Sequence, residues 1–356
     1  MGRVKCQRSL WNTPTIFHPK KNRKMTKIKT PYDLAVEQVG KKASEDHWIK
    51  YKGKSSVDWA ETESFELKAD DLAEYDKVDA ERKVRPAYDF TDSVLDYFMH
   101  GDKIAGRKLP FTILDNKFRF RNEEVSVLAG INGSGKSLLA NQWLIKAMAD
   151  GAICLVVSLE MSPKATLSRM WRQASLDVEP TLDFGLEFAR WTNGKLWFYD
   201  QQGSVDLRTL NAVIRWARDH CKIDFVLIDS LMTLNIAEDD YNGQKKCIVT
   251  LANLARELEM HIILVCHAKK GTDIRERLTR WSIRGASSLA DRADNIFLLG
   301  RTFDNDPMNA DAYLNLAKAR HFDGAECDMD LWLDMASMNY HLANEHPEAL
   351  DMNNDS

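Results

Sequence analysis

No two cysteines lie close together in this 356-residue chain. The six (Cys6, Cys154, Cys221, Cys247, Cys266, Cys327) are scattered, and Cys154 and Cys266 fall inside apolar runs. That spacing excludes a zinc module and a disulfide framework, and it predicts a reduced, intracellular protein. No stretch approaches the roughly 18 uncharged apolar residues of a membrane span, so no membrane partner is expected. Internal repeats and low-complexity tracts are also missing. Residues 1–30 hold nine Lys and Arg and no acid, whereas residues 341–356 hold Glu345, Glu348, Asp351 and Asp355 and no Lys or Arg. The net charge of −4 argues against a simple basic nucleic-acid binder, but it averages over a basic head and an acidic tail.

Apolar residues make up 44% and charged residues 29%, the balance of a globular protein. Residues 1–30 lack helical or strand periodicity and are expected to be a disordered arm. An arm touching nucleic acid, an organellar transit peptide and a translation start at Met25 are the three readings of that stretch. Residues 31–103 are polar, with short helical patterns at Tyr32–Val39, Lys68–Tyr75 and Thr91–Phe98. They have too little apolar material for a core of their own and read as a linker with docking helices.

From about residue 104 to 340 the pattern changes. Apolar runs at Val125–Leu128, Ile153–Val157, Leu196–Tyr199, Phe225–Ile228, Ile262–Val265 and Ile296–Leu299 alternate with helical segments near 136–149, 163–175, 205–220 and 244–259. Strands alternating with helices predict an α/β fold, a mostly parallel twisted sheet flanked by helices. Tyr313–Ala319 and Met329–Leu333 predict antiparallel strands at one edge.

Residues 130–137 read Gly-Ile-Asn-Gly-Ser-Gly-Lys-Ser, between a strand and a helix. This is the phosphate-binding loop in its required context. Gly130, Gly133 and Gly135 let consecutive N–H groups face phosphate oxygens, with Asn132 and Ser134 between them. Lys136 is placed to reach the β- and γ-phosphates of ATP or another nucleoside triphosphate, and Ser137 to give a hydroxyl to Mg²⁺. Asp229 ends an apolar strand and is the second candidate metal ligand. The residue after it is Ser230, so a general base must come from elsewhere. Glu160, just past the strand Ile153–Val157, is that candidate; its alternative role is capping the helix at Pro163. His267, at the end of the strand Ile262–Val265, is a candidate phosphate sensor or a satisfied strand-end residue.

Residues 268–284 carry Lys269, Lys270, Arg275, Arg277, Arg280 and Arg284 against Asp273 and Glu276. That excess suits tracking a single-stranded backbone. Trp281 lies within the stretch, as a stacking surface or a core residue. Asn235–Lys246 reads as a second loop, with Lys245 and Lys246 as weaker candidates. Lys318 and Arg320 sit two apart on a strand, which alone reads as a solvated face.

Leu109-Pro-Phe111 before Phe118-Arg-Phe120, the 130–137 loop, Ser158-Leu-Glu-Met-Ser162, Asp229, Val265-Cys-His267, Arg284-Gly285 and Lys318-Ala-Arg320 occur in one order. Over roughly Gly106–Tyr340 the chain resembles the ring-shaped replicative DNA helicases with a RecA-like core: the helicase halves of phage primase–helicases, Twinkle and, more distantly, DnaB. The resemblance implies ATP hydrolysis coupled to translocation on single-stranded DNA by a homo-hexamer. It implies that Lys318 and Arg320 reach the adjacent protomer's nucleotide, that Arg301 packs on the base, and that Arg284 and Gly285 contact DNA. It points to a replicative polymerase and a primase as partners, and to the cytoplasm of a phage-infected bacterium, with an organellar matrix as the second location. Residues 1–103 are too short for the primase half of the larger relatives. A RecA-like recombination or repair ATPase and an ATP-switched DNA-binding scaffold are the competing readings.

Overall fold

The computed structural model describes residues 86–92, 94–95, 106–237, 240–269, 276–283, 286–302, 309–322 and 326–352. The basic head and most of the linker lie outside them. The chain divides into two units, Met1–Leu95 and Asp96–Ser356. In the first, Ala87–Phe90 form a 3₁₀ turn, and Tyr88, Val94 and Leu95 are exposed.

The second unit is built on a sheet. Its described strands are β1 (Val125–Gly130), β2 (Cys154–Ser158), β3 (Leu196–Phe198), β4 (Phe225–Asp229), β5 (His261–His267), β6 (Asn295–Arg301), β7 (Ala312–Ala319), β8 (Cys327–Asp334) and β9 (Asn339–His341). Their order is β3-β2-β4-β5-β1-β6-β7-β8-β9. From β3 to β6 every pairing is parallel. From β6 to β9 every pairing is antiparallel. The helices are α1 (Lys136–Ala149), α2 (Pro163–Ser175), α3 (Leu182–Trp191), α4 (Leu207–Cys221), α5 (Tyr241–Glu257) and α6 (Ala286–Arg292). Among the described residues no helix is long and apolar enough to cross a membrane.

Both faces of the parallel strands inward of the edge strand β3 are buried, which is why their sequences read as unbroken apolar runs. Alternate residues serve opposite cores. Val125, Val127 and Ala129 join α4, α5 and α6 on one face. Leu128 joins α1, α2 and α3 on the other. That second core explains the Phe118-Arg-Phe120 mark. Phe118 packs edge-on against Phe297 with ring centroids 5.2 Å apart, and Phe120 lies 5.2 Å from Trp143. Such pairs contribute about 0.5–1.5 kcal/mol each beyond area burial.

The structure departs from expectation in four places. Helix α3 is not predicted, because Gly185 interrupts its pattern. Gly185 is buried where a Cβ would run into the Trp171 indole, and Thr181 caps the helix by accepting from Phe184 N at 3.2 Å. Helix α5 begins at Tyr241, with Asp240 accepting from Gly243 N at 2.8 Å. Lys245 and Lys246 therefore lie on a helix rather than in a second loop. Strand β9 is also new, and the acidic segment after it folds back. Leu342, Leu350 and Met352 pack against the α1–α2 core, Leu350 N donates to Ala174 O at 2.9 Å, and Thr112 N to Glu345 Oε1 at 3.0 Å.

Candidate nucleotide-binding site

Parallel pairing sets the C-terminal ends of the central strands on one edge of the sheet. Gly130 pairs with His267, and Ser158 with Asp229. In open α/β sheets this edge is where ligands bind. A cavity of about 630 Å³ opens there, lined by Asn132, Gly133, Gly135, Lys136, Ser137, Glu160, Arg169, Asp229 and His267, with Met232 and Met338 among its apolar walls. That volume suits a nucleotide-sized ligand.

The loop of residues 130–135 turns directly into α1, so the helix N-terminus faces the cavity. Gly135 has φ +88°, and a Cβ there would overlap the Tyr340 hydroxyl. Gly130 lies against the Leu299 carbonyl, where a Cβ has no room. Lys136 is nearly buried (6% exposed). Its Nζ donates to the carbonyls of Gly130 (3.1 Å) and Ile131 (2.8 Å). Burial pulls its pKa below the ordinary lysine value, and the charges of Asp229 and Glu160 oppose that. Gly130 and Ser134 do not line the cavity: the Gly130 carbonyl holds Lys136, and Ser134 is buried beneath the loop.

Ser137 Oγ donates to Asp229 Oδ2 at 2.7 Å. Burial raises the Asp229 pKa, opposed by the Ser137 hydrogen bond and by Lys136 and Arg169, while Glu160 adds to the rise. A hydroxyl and a carboxylate side by side are hard oxygen donors of the kind Mg²⁺ takes, with the phosphates of its substrate completing the shell. Glu160 is exposed to the cavity, and its Oε1 accepts from Ser230 Oγ at 3.0 Å. It does not cap α2; Ser162 does, accepting from Ala165 N at 3.3 Å. His267 ends β5 half-buried on the cavity wall.

Arg169 is the cavity residue that sequence reasoning misses. It sits on α2 and its Nη1 reaches Met161 Sδ at 3.0 Å. It shares a helical face with Thr166 and Gln173, both buried, and that i, i+3, i+7 spacing is the signal that places it inward. Arg301 is exposed at the end of β6 and does not line the cavity.

Lys318 and Arg320 are not brought to this cavity. They lie at the opposite edge, where β6 begins, roughly 17 Å of strand away. Lys318 Nζ donates to the carbonyls of Ala290 (2.7 Å), Asp291 (3.1 Å) and Ala293 (2.8 Å), closing the end of α6. Arg320 Nη1 donates to Asp294 Oδ1 at 2.9 Å and Nη2 to Asp291 O at 3.0 Å. Neither forms the plain solvated face that the strand alone would give.

Of the basic segment, Lys270, Arg275, Arg284 and Gly285 lie outside the described residues. Lys269 and Arg280 are exposed. Arg277 is engaged: its guanidinium lies 3.1 Å from Asp328, 3.8 Å from Asp330 and 4.8 Å from the Tyr313 ring centroid. Trp281 is 52% exposed rather than a core residue, with the Arg280 guanidinium 5.1 Å from its ring centroid. Ala268 bridges to Ile283, and Lys269 N donates to Ser282 O at 2.8 Å. The base of the segment is thereby tied to the residue after His267.

Residues 118–273 match the family model of the AAA domain. Among solved structures, the ATPase domain of G40P superposes with a TM-score of 0.65 at 18% identity, over 73% of this chain and 100% of that one. A DnaB-like replicative helicase, described with its interactions with primase, superposes with a TM-score of 0.62 at 18% identity, over 85% of this chain and 78% of that one. At that identity the likeness is one of fold. The chain carries a RecA-like P-loop ATPase fold. More narrowly, that fold is similar to those of the G40P ATPase domain and of the DnaB-like replicative helicase.

Proposed function

We propose that this chain is an ATP-dependent replicative DNA helicase that translocates on single-stranded DNA as a hexameric ring. The observation that carries the reading is the convergence of Lys136, Ser137, Asp229, Glu160 and His267 on one cavity at the strand ends. Loop amides and Lys136 bind the phosphates of ATP, and Ser137 and Asp229 hold Mg²⁺. When bound, Mg²⁺ neutralises charge on the phosphoryl oxygens. Glu160, kept in place by the Ser230 hydroxyl, orients the attacking water and takes its proton. His267 touches the terminal phosphate. Its neighbour Ala268 is bridged to Ile283, so loss of that phosphate is felt in the segment that carries Lys269, Arg280 and Trp281. In the ring, Lys318 and Arg320 exchange their bonds within the protomer for the nucleotide of the adjacent one, and Arg301 packs on the base. A primase and a replicative polymerase are the partners, in the cytoplasm of a phage-infected bacterium.

Glu160→Gln tests the reading. The variant retains ATP binding, while hydrolysis stimulated by single-stranded DNA falls by about 10²–10⁴-fold, the usual contribution of a general base. Unchanged turnover would remove Glu160 from the mechanism. Electron microscopy with an ATP analogue and single-stranded DNA separates a ring from the filament of a recombination ATPase.

A further inference from the structure

Beneath the phosphate loop, the Ser134 carbonyl is buried and receives a hydrogen bond from the Tyr340 hydroxyl at 3.0 Å. We propose that Tyr340 is a positioning residue of the phosphate loop, its hydroxyl setting the direction in which the loop presents its amides to a triphosphate.

In a trans peptide the carbonyl of one residue and the N–H of the next point in opposite directions from one plane. The Ser134–Gly135 bond is trans, since the cis bond found here is Asp229–Ser230. Fastening the Ser134 carbonyl from below therefore aims the Gly135 N–H the other way, and Gly135 lines the cavity. The hydroxyl also occupies the space a Cβ at Gly135 would need. Glycine at that position thus serves both its left-handed φ and the close approach of the tyrosine.

Tyr340 can act as a fixed post because it is itself held. The residue is 4% exposed. The Gln142 side chain donates to Tyr340 O at 2.8 Å and accepts from Tyr340 N at 3.1 Å. Gln142 lies on α1, the helix that Lys136 opens. Next to it, Asn339 Nδ2 donates to Gln173 O at 2.8 Å, and Gln173 Nε2 donates to Leu138 O (2.9 Å) and Met338 O (3.0 Å). Strand β9 is stitched to both α1 and α2. Burial pushes the phenol's pKa up, so the group stays protonated and remains a donor.

This inference rests on reading the cavity as a triphosphate site, and the experiment separates the two. Binding of Mg·ATPγS and of magnesium tripolyphosphate is measured on the full chain and on Tyr340→Phe, with thermal melting as a control for folding. The phenyl ring keeps the packing and leaves the Ser134 carbonyl without its donor. Both probes are expected to bind about tenfold more weakly, equivalent to about one hydrogen bond, with KM for ATP rising more than kcat falls. Unchanged affinity for both probes would overturn the proposal. A loss confined to Mg·ATPγS would also overturn it, by showing that the hydroxyl meets the nucleoside. Failure of the unaltered chain to bind either probe would instead sink the nucleotide reading. Should Tyr340→Phe melt early, Gln142→Leu releases the post while keeping the hydroxyl. It must weaken both probes by a smaller factor, and equal binding there overturns the proposal too.

Discussion

The two ends of the parallel strands use the same kinds of side chain for different purposes. At the C-terminal end, Lys136, Glu160, Arg169 and Asp229 surround open space. At the N-terminal end, charges are spent on one another and on backbone. Asp294, 1% exposed, accepts from Val125 N (2.9 Å), Arg320 (2.9 Å) and Arg256 (3.3 Å). Lys318 commits its ammonium to three carbonyls of the α6 end. A single chain thus assembles the lining of its cavity unaided, while the cations proposed to act in trans are held by their own protomer. Conserving charge type along a strand says little about readiness to bind; what matters is whether the groups face a cavity or each other.

The largest test of that contrast is Arg320→Ala. A finger reaching the next protomer's nucleotide is worth about 10³–10⁵ in hydrolysis rate. Mixing Arg320→Ala with Lys136→Ala subunits should then restore part of the activity, read as turnover against mixing ratio in rings shown to be mixed. If Arg320 serves only Asp294, the variant loses stability rather than rate and mixing recovers nothing.

Glu124 probes the closed end by pH. Its carboxyl is buried, and burial pushes the pKa from 4.5 up to about 7, opposed by the hydrogen bond from Asn295 and the charge of Arg121. The folded state therefore prefers the protonated form. The stability this confers is full below pH 4.5 and is lost as pH rises through about 7, up to about 3 kcal/mol. Glu124→Gln should be more stable than the unaltered chain at pH 8.5 and should gain little at pH 5, by denaturant midpoint. An identical difference at both pH values would show that the carboxyl is not held protonated.

The smallest effect on stability is expected of Lys318→Met, which removes three donors from the end of α6. About 1–3 kcal/mol of stability should go, with faster amide exchange in residues 286–293 and none of the change at β1. Unaltered exchange there would make the contact incidental.

How far these two ends can be read from sequence differs in the same way. Lys136 and Ser137 are legible from the glycine-rich loop between strand and helix, and Asp229, Glu160 and His267 because each ends or closely follows an apolar run that fixes which edge it reaches. The cation pair is legible only as residue types, since their bonds to Asp294 and to the α6 carbonyls come from pairing β7 against β6. Tyr340 and Arg169 enter the site through packing between distant segments, which leaves no local pattern for Tyr340 and only a shared helical face for Arg169. Helix α3 is hidden because Gly185, unfavourable for a helix in isolation, is required by the Trp171 indole above it.

The bond between Tyr340 and Ser134 joins residues 206 apart. A ribosome that has made Ser134 must add another 206 residues before the tyrosine is in the chain. Until then the corner at Gly135 lacks its underpinning, so on a growing polypeptide this corner is completed long after the loop's own residues are made.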